Sequence, residues 1–439
     1  MKSMILILPL CLSLQDSLGE FTTKSATEIH SKVLGSSYNK YVRPHAITNI
    51  SIELVLFSLD ELDVKRQTMS SSGWLTVTWD DPRLTWDASA NDDIEYIYTK
   101  QNKIWRPELI VDNSVEGITP IGHDELFFKV KHTGEVRWDP PGRHVTHCEF
   151  DVTYFPFDYQ KCSIEIASFA FTTEVLTLIK TRDTINIEDY HDHGEWILHS
   201  TQVENHVLVE NGEEFSMLEF QVIFERRPGY YITNIVYPVI LVSLLTNLVF
   251  LLPADSGEKI SYILTVLLAQ AVLLTLIGDS MPTTSKKAPL IEIYVSLVLV
   301  MAALAIVITI LNLRLHLRAD QTAVPKWLKT FTLRVLLRIS CRTSKVKDCV
   351  VSKEVSNEDT DEDDYVNVRG IALNRMSTLR PKVPIRKNPQ FPFDCKEVSA
   401  FLDLFFFHLF NIVIFITTMV LVLILSVSDV PPTHTAHGE

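Results

Sequence analysis

The sequence predicts a secreted β-sandwich domain followed by a bundle of four membrane-spanning helices. Three observations carry that prediction. Four apolar runs of membrane length crowd the second half of the chain, more than 200 residues patterned as strands precede them, and only two cysteines fall in the part that would lie outside the cell. Mean hydropathy is only +0.14, because the long polar domain dilutes the membrane runs.

At the N-terminus, Lys2 and an apolar stretch from Met4 to Leu14 precede Ser17-Leu18-Gly19, the pattern of a cleavable signal over residues 1–19. Residues 20–230 then form the extracellular domain. An early helix is expected near Ser25 to Leu34, and strands from Asn49 to Ser58 and from Trp74 to Trp79, where β-branched and aromatic residues concentrate. Asn49-Ile50-Ser51 is a usable glycosylation acceptor. Between Val203 and Phe224 two alternating runs flank Asn211-Gly212, the strongest short-range hairpin signal. Of six cysteines, Cys11 leaves with the signal and Cys341, Cys349 and Cys395 lie between the last two spans, so Cys148 and Cys162 should pair.

Ile232 to Leu252, Ile293 to Leu313 and Leu409 to Val427 each run without a charge over a length that crosses about 30 Å of hydrocarbon. The fourth apolar run, Ile260 to Ile277, differs in its polar groups. Counting from Glu258, the residues Ser261, Thr265, Leu268, Val272, Thr275 and Asp279 all fall within an arc of roughly 100°. An acid-framed stripe of hydroxyls suits the wall of an ion pore, whereas a helix buried among others would tolerate a few hydroxyls bonded back to their own backbone.

Nine cations between Arg314 and Lys347 oppose one acid, Asp320, which places residues 314–402 in the cytoplasm. Residues 231–313 then hold spans one to three, residues 403–428 the fourth, and residues 429–439 an extracellular tail. Trp327, Leu328, Phe331, Leu333, Leu336 and Leu337 interleave with those cations, as in an amphipathic helix on the inner membrane surface. The acidic stretch Glu354 to Asp364 and the Pro-bearing stretch Arg380 to Pro392 read as poorly packed chain.

No nucleophile motif, metal-ligand spacing or phosphate loop suggests an enzyme, a cofactor or a nucleic-acid partner, and His191-Asp192-His193 reads as a polar loop. A non-conducting surface receptor is the alternative class, and it would need no acid-framed stripe.

The segment Cys148-Glu149-Phe150-Asp151-Val152-Thr153-Tyr154-Phe155-Pro156-Phe157-Asp158-Tyr159-Gln160-Lys161-Cys162 resembles the signature loop of the Cys-loop receptors, the pentameric ligand-gated ion channels. The likeness extends through Trp79-Asp80-Asp81-Pro82-Arg83, Trp105-Arg106-Pro107-Glu108-Leu109, Pro228 and Tyr231, Asp255-Ser256-Gly257-Glu258-Lys259, and Met281-Pro282-Thr283-Thr284-Ser285. It implies four further subunits, identical or different, around a pore lined by the second helix, with a small-molecule agonist at each extracellular interface. The expected location is the plasma membrane, the postsynaptic membrane among the options. Five copies would set Glu258 as a ring at the inner mouth, Ser261 and Thr265 as two hydroxyl rings above it, Leu268 and Val272 as an apolar constriction, and Asp279 as an outer ring, with Thr275 also in the lining stripe; acid rings favour cations. The Pro-Ala element of anion-conducting relatives is absent before the pore helix, and the resemblance turns Lys259 away from the lumen. Between Glu20 and Arg227, 35 acids outnumber 19 bases, a field that concentrates cations.

The resemblance also assigns a ligand pocket and a coupling set. Trp74 matches the aromatic of the complementary face. Asp112 stands where nicotinic-like members have a tyrosine, and Phe169 where they have a tryptophan. The capping hairpin from Thr201 to Phe215 lacks both adjacent cysteines and tyrosines, which points to an agonist other than acetylcholine or to an accessory subunit without a conventional amine agonist. Arg226 is expected to pair with Asp158 and with an acid before Trp74, for which Asp63 is nearest; Pro282 completes the coupling set.

Overall fold

The computed structural model describes residues 23–123, 125–281, 288–317, 326–332 and 395–427. Two compact units emerge, one built on the N-terminal strands together with residues 278–281 and 288–290, the other on the apolar helices. The signal, Pro282, Leu333, Leu336 and Leu337, the acidic and Pro-bearing stretches and the tail after Val427 lie outside the described residues.

The first unit is a β-sandwich entered by helix α1 (Thr23–Val33), close to the expected span. β1 (Thr48–Asp63) buries Ile50, Ile52, Leu54 and Leu56 at every second position, as a half-buried strand must. It pairs antiparallel with β2 (Thr68–Thr85) and parallel with β9 (Leu176–Lys180), and both β1 and β2 run longer than their composition suggested. β3 (Tyr96–Lys100), β5 (Phe127–Lys131), β6 (Thr133–Trp138) and β7 (Pro141–His147) complete this seven-stranded sheet. The second sheet has the order β10-β11-β8-β4, with β4 at Leu109–Val111, β8 at Tyr159–Ser168, β10 at Trp196–Glu210 and β11 at Glu213–Arg226. Asn211 and Gly212 both adopt positive φ, 53° and 86°, so the two-residue turn between β10 and β11 takes the twist that the flanking strands need.

The core is aromatic. Trp79 meets Phe128 edge-on at 5.5 Å, and Phe128 meets Trp138 at 5.8 Å. The Trp79–Arg83 motif serves structure: the carboxylate of Asp81, fully buried, accepts from Arg83 at 2.7 and 2.8 Å and from the Tyr38 hydroxyl at 2.8 Å. Cys148 and Cys162 form a disulfide with Cα atoms 5.1 Å apart. Within the loop they close, Asp151 accepts from the backbone and hydroxyl of Thr153 (3.1 and 2.6 Å), and Gln160 donates to the Asp151 carbonyl at 3.0 Å.

In the second unit the first span, Gly229–Phe250, is a composite of α2 (Gly229–Tyr231), a π turn, α3 (Tyr237–Asn247) and a 3-10 turn. Gly257, at φ 71°, then reverses the chain ahead of α4 (Lys259–Asp279). α5 (Leu290–Leu317), the short α6 (Lys326–Phe331) and α7 (Cys395–Val427) follow. α7 begins well before the span expected from residue 403. Its first turns bury Cys395, Val398 and Phe401 against Leu328 of α6, so they gain packing that charge-free length alone did not foretell. Trp327, the residue before Leu328 on α6, is 71% exposed. Polar pairs stitch the spans: Gln270 donates to Thr246 at 2.8 Å, Asn247 to Asn411 at 3.0 Å, and the Tyr294 hydroxyl to Ser243 at 3.2 Å.

Candidate functional site

Helix α4 has two faces. Lys259, Ile263, Val266, Gln270 and Ile277 are buried, at rotations that centre about 180° from the stripe. Glu258, Ser261, Thr265, Leu268, Val272, Thr275 and Asp279 are all exposed, Leu268 at 65% and Val272 at 50%. Thr265 donates its hydroxyl proton to the Ser261 carbonyl at 2.9 Å and Thr275 to the Val272 carbonyl at 2.8 Å. Their outward-facing oxygens therefore present lone pairs, which suit a cation better than an anion.

At the end of β11, Arg226 is almost wholly buried. Its Nε and Nη2 reach the two carboxylate oxygens of buried Asp158 at 2.7 and 3.1 Å, a bidentate pair. Nη1 donates to Glu195 at 2.8 Å, and the Tyr231 hydroxyl donates to the same Glu195 oxygen at 2.6 Å. The guanidinium also lies over Trp196 at 4.2 Å and Phe155 at 5.1 Å. Burial pulls the Arg226 pKa down, but the Asp158 charge and hydrogen bonds outweigh it and hold the group above its ordinary value. The second acid expected here, Asp63, is elsewhere. It caps the β1–β2 turn, accepting from Arg66 through the backbone at 2.8 Å and the side chain at 3.4 Å, and Glu195 takes its place. Glu195 reaches Arg226 because β10 pairs Trp196 with Arg226; no local pattern flags an acid 31 residues away.

The candidate pocket residues divide between the sheets. Trp74 lies on β2, half-buried, its ring 4.2 Å from Phe57 and its backbone opposite Pro141. In the other sheet the ladder between β11 and β8 ends at Met217 and Ala167, two residues short of Phe215 and of Phe169, which is 63% exposed. Asp112 follows β4 and donates its backbone N–H to the Glu165 carbonyl at 2.8 Å. Trp74 therefore stands in one sheet, whereas Phe215 lies on a strand of the other, with Asp112 and Phe169 directly after strands of that second sheet.

Sequence reading missed the row of acids beside Asp112. Glu165 pairs with Glu219 across β8 and β11, and Glu219 with Glu204 across β11 and β10. Burial, with Glu219 and Asp112 adding repulsion, pushes the Glu165 carboxyl above its usual range, against a stabilising hydrogen bond from Ser163. His206 stands 2.9 Å from Glu219 and 3.5 Å from Glu204. The alternation along each strand could have revealed that these acids share a face, but only the register sets them side by side.

A disulfide-pinned sandwich and four membrane-length helices, one of them with an unburied face that carries acids and hydroxyls, define a multi-pass membrane protein with an N-terminal β domain. Residues 26–228 match the family model for the neurotransmitter-gated ion-channel ligand binding domain, and residues 235–402 that for the neurotransmitter-gated ion-channel transmembrane region. The chain belongs to the neurotransmitter-gated ion-channel family. It is 34% identical over 317 residues to the neuronal acetylcholine receptor subunit alpha-3 of Bos taurus, covering 71% of this chain and 64% of that protein. It is 33% identical over 363 residues to subunit alpha-4 of Gallus gallus (78% and 57%), and 33% identical over 324 residues to the acetylcholine receptor subunit delta of Xenopus laevis (69% and 62%). The matched chain thus spans less than two thirds of the length of these relatives. Membership makes it a multi-pass plasma-membrane protein with the sandwich outside.

Proposed function

We propose that the chain is one subunit of a pentameric, cation-selective channel opened by a small ligand at the extracellular subunit interface. The observation that carries this reading is the opposition of the two faces of α4: its polar stripe stays unburied while the other side packs. One such helix encloses no lumen, so symmetry-related copies are required. Glu258 would supply the inner ring, Ser261, Thr265 and Thr275 oxygen-lined rings, Leu268 and Val272 the closed constriction, and Asp279 the outer ring.

For the agonist, the row from Asp112 to Glu204 beside Phe169 and Phe215 favours a ligand with a strongly cationic group, closed over by Trp74 of the adjoining subunit. The hairpin without vicinal cysteines or tyrosines supports a second reading, in which the chain is an accessory subunit that lends Trp74 to a neighbour's pocket. Asn49 is exposed on β1 and open to glycosylation, and Arg226 with Asp158 and Glu195 would transmit ligand closure toward the helices, together with Pro282.

The test is expression in oocytes, alone and with a nicotinic subunit, followed by amine agonists under a sodium chloride gradient. Currents reversing near the sodium equilibrium potential support the reading, and chloride currents end it. Ligand-evoked currents only on co-expression select the accessory reading. In the same cells Leu268→Thr should wet the constriction and raise agonist-independent current by about tenfold, which corresponds to about 1.4 kcal/mol in the closed-to-open balance. An unchanged resting current in that variant would place the gate elsewhere.

A further inference from the structure

Lys259 sets a problem for a cation pore, since it carries a fixed positive charge one residue from Glu258. One residue is about 100° of helix rotation and Glu258 stands at the edge of the stripe, so Lys259 starts about 150° from the stripe's centre, on the packed side of α4. It goes inward. Lys259 is 4% exposed, and its Nζ lies 2.6 Å from Oδ2 of Asp403 on α7, 144 residues away. Asp403 is held in turn. Four residues earlier on α7, the Ser399 carbonyl accepts from Asn312 of α5 at 3.0 Å, and the Ser399 hydroxyl donates to the Asn312 carbonyl at 3.4 Å. The acid thus sits on a turn of α7 that is pinned to α5, and its side chain is 12% exposed.

We propose that Asp403 is a positioning residue for charge selectivity: it holds the Lys259 ammonium inside the bundle, so that Glu258 alone sets the field at the inner mouth. The inference rests on the pore reading above. An acid on the last helix would then decide a property of the second helix without touching the lumen. A buried ammonium whose partner is removed is costly to keep desolvated. The long Lys259 stem offers relief by swinging around the first turn of α4 toward water, where Glu258 is exposed. Five such cations would then offset five carboxylates.

The test compares three channels in a sodium chloride gradient: unmutated, Asp403→Asn, and the double variant Lys259→Gln with Asp403→Asn. In Asp403→Asn the sodium-to-chloride permeability ratio should fall at least about fivefold, in line with the change in ion occupancy that a unit charge at lumen distance produces in water. The double variant keeps the shape of the pair but has no ammonium to release, so its ratio should return to that of the unmutated channel. A pair that merely staples two helices predicts fewer channels with an unchanged ratio in Asp403→Asn, and that result overturns the proposal. So does a double variant whose ratio stays low. If Asp403→Asn does not reach the surface by itself, co-expression with unmutated chains reports the ratio in mixed pentamers. Glu258→Ala separates the two levels of inference: if it leaves selectivity untouched the pore reading itself fails, whereas a shift with Glu258→Ala and none with Asp403→Asn rejects only the role of Asp403.

Discussion

Replacing Glu258 by alanine should move the reversal potential under a sodium chloride gradient most of the way from the sodium toward the chloride equilibrium value. Glu258 is exposed at the start of α4, one residue after the chain reversal at Gly257. In a pentamer five carboxylates would converge there on a narrow mouth, each adding about 1 kcal/mol for a cation at 4 Å in water and more where the wall lowers the effective dielectric. Screening is weakest where the lumen is tightest, since ions and water cannot fill the gap. Asp279 at the other end of the stripe should behave differently: Asp279→Asn lowers conductance with little change of selectivity, because a wide outer mouth is screened by salt. Cation selectivity that survives Glu258→Ala would mean that the residue is off the lumen and the helical register is wrong.

Arg226→Ala should remove nearly all assembled receptor from the cell surface. The substitution leaves Asp158, 1% exposed, as a buried carboxylate facing a void, and strips Glu195 and the Tyr231 hydroxyl of their shared partner. Breaking a buried pair from one side costs about 3–5 kcal/mol, a large part of the stability of a domain. Arg226→Lys keeps the charge but not the two-pronged fit, and it separates a strut from a coupling element. Normal surface labelling with a reduced maximal response to saturating agonist marks coupling; normal labelling and normal response would leave the arginine as a strut alone. Asp63→Asn is the control. Its partner Arg66 is 82% exposed, so the change should cost under about 1 kcal/mol and leave surface labelling as it was.

The elements that were legible in the sequence are those specified within a few turns of chain. Asn211-Gly212 foretold its hairpin because a two-residue turn with positive φ admits few residue types. The polar stripe of α4 was legible because helical periodicity alone places residues on a face, and the spans because hydrocarbon thickness demands a set length of apolar chain. The early start of α7 was not legible, since residues 395–402 mix polar and apolar side chains and their burial depends on α6. The acid row next to Asp112 came only with strand register.

By itself the sequence determined the sandwich-plus-four-span plan, the Cys148–Cys162 link and the face of α4 that stays unburied, all of which follow from composition and local period. Tertiary structure alone decided which charge meets which. Arg226 takes Glu195 rather than Asp63, and Lys259 finds Asp403 on a helix 144 residues away. The physical reason is the range of the interactions involved. Periodicity and solvation act on each segment as it stands, whereas a buried ion pair exists only once packing has removed water from both partners and fixed their distance to within a fraction of an ångström.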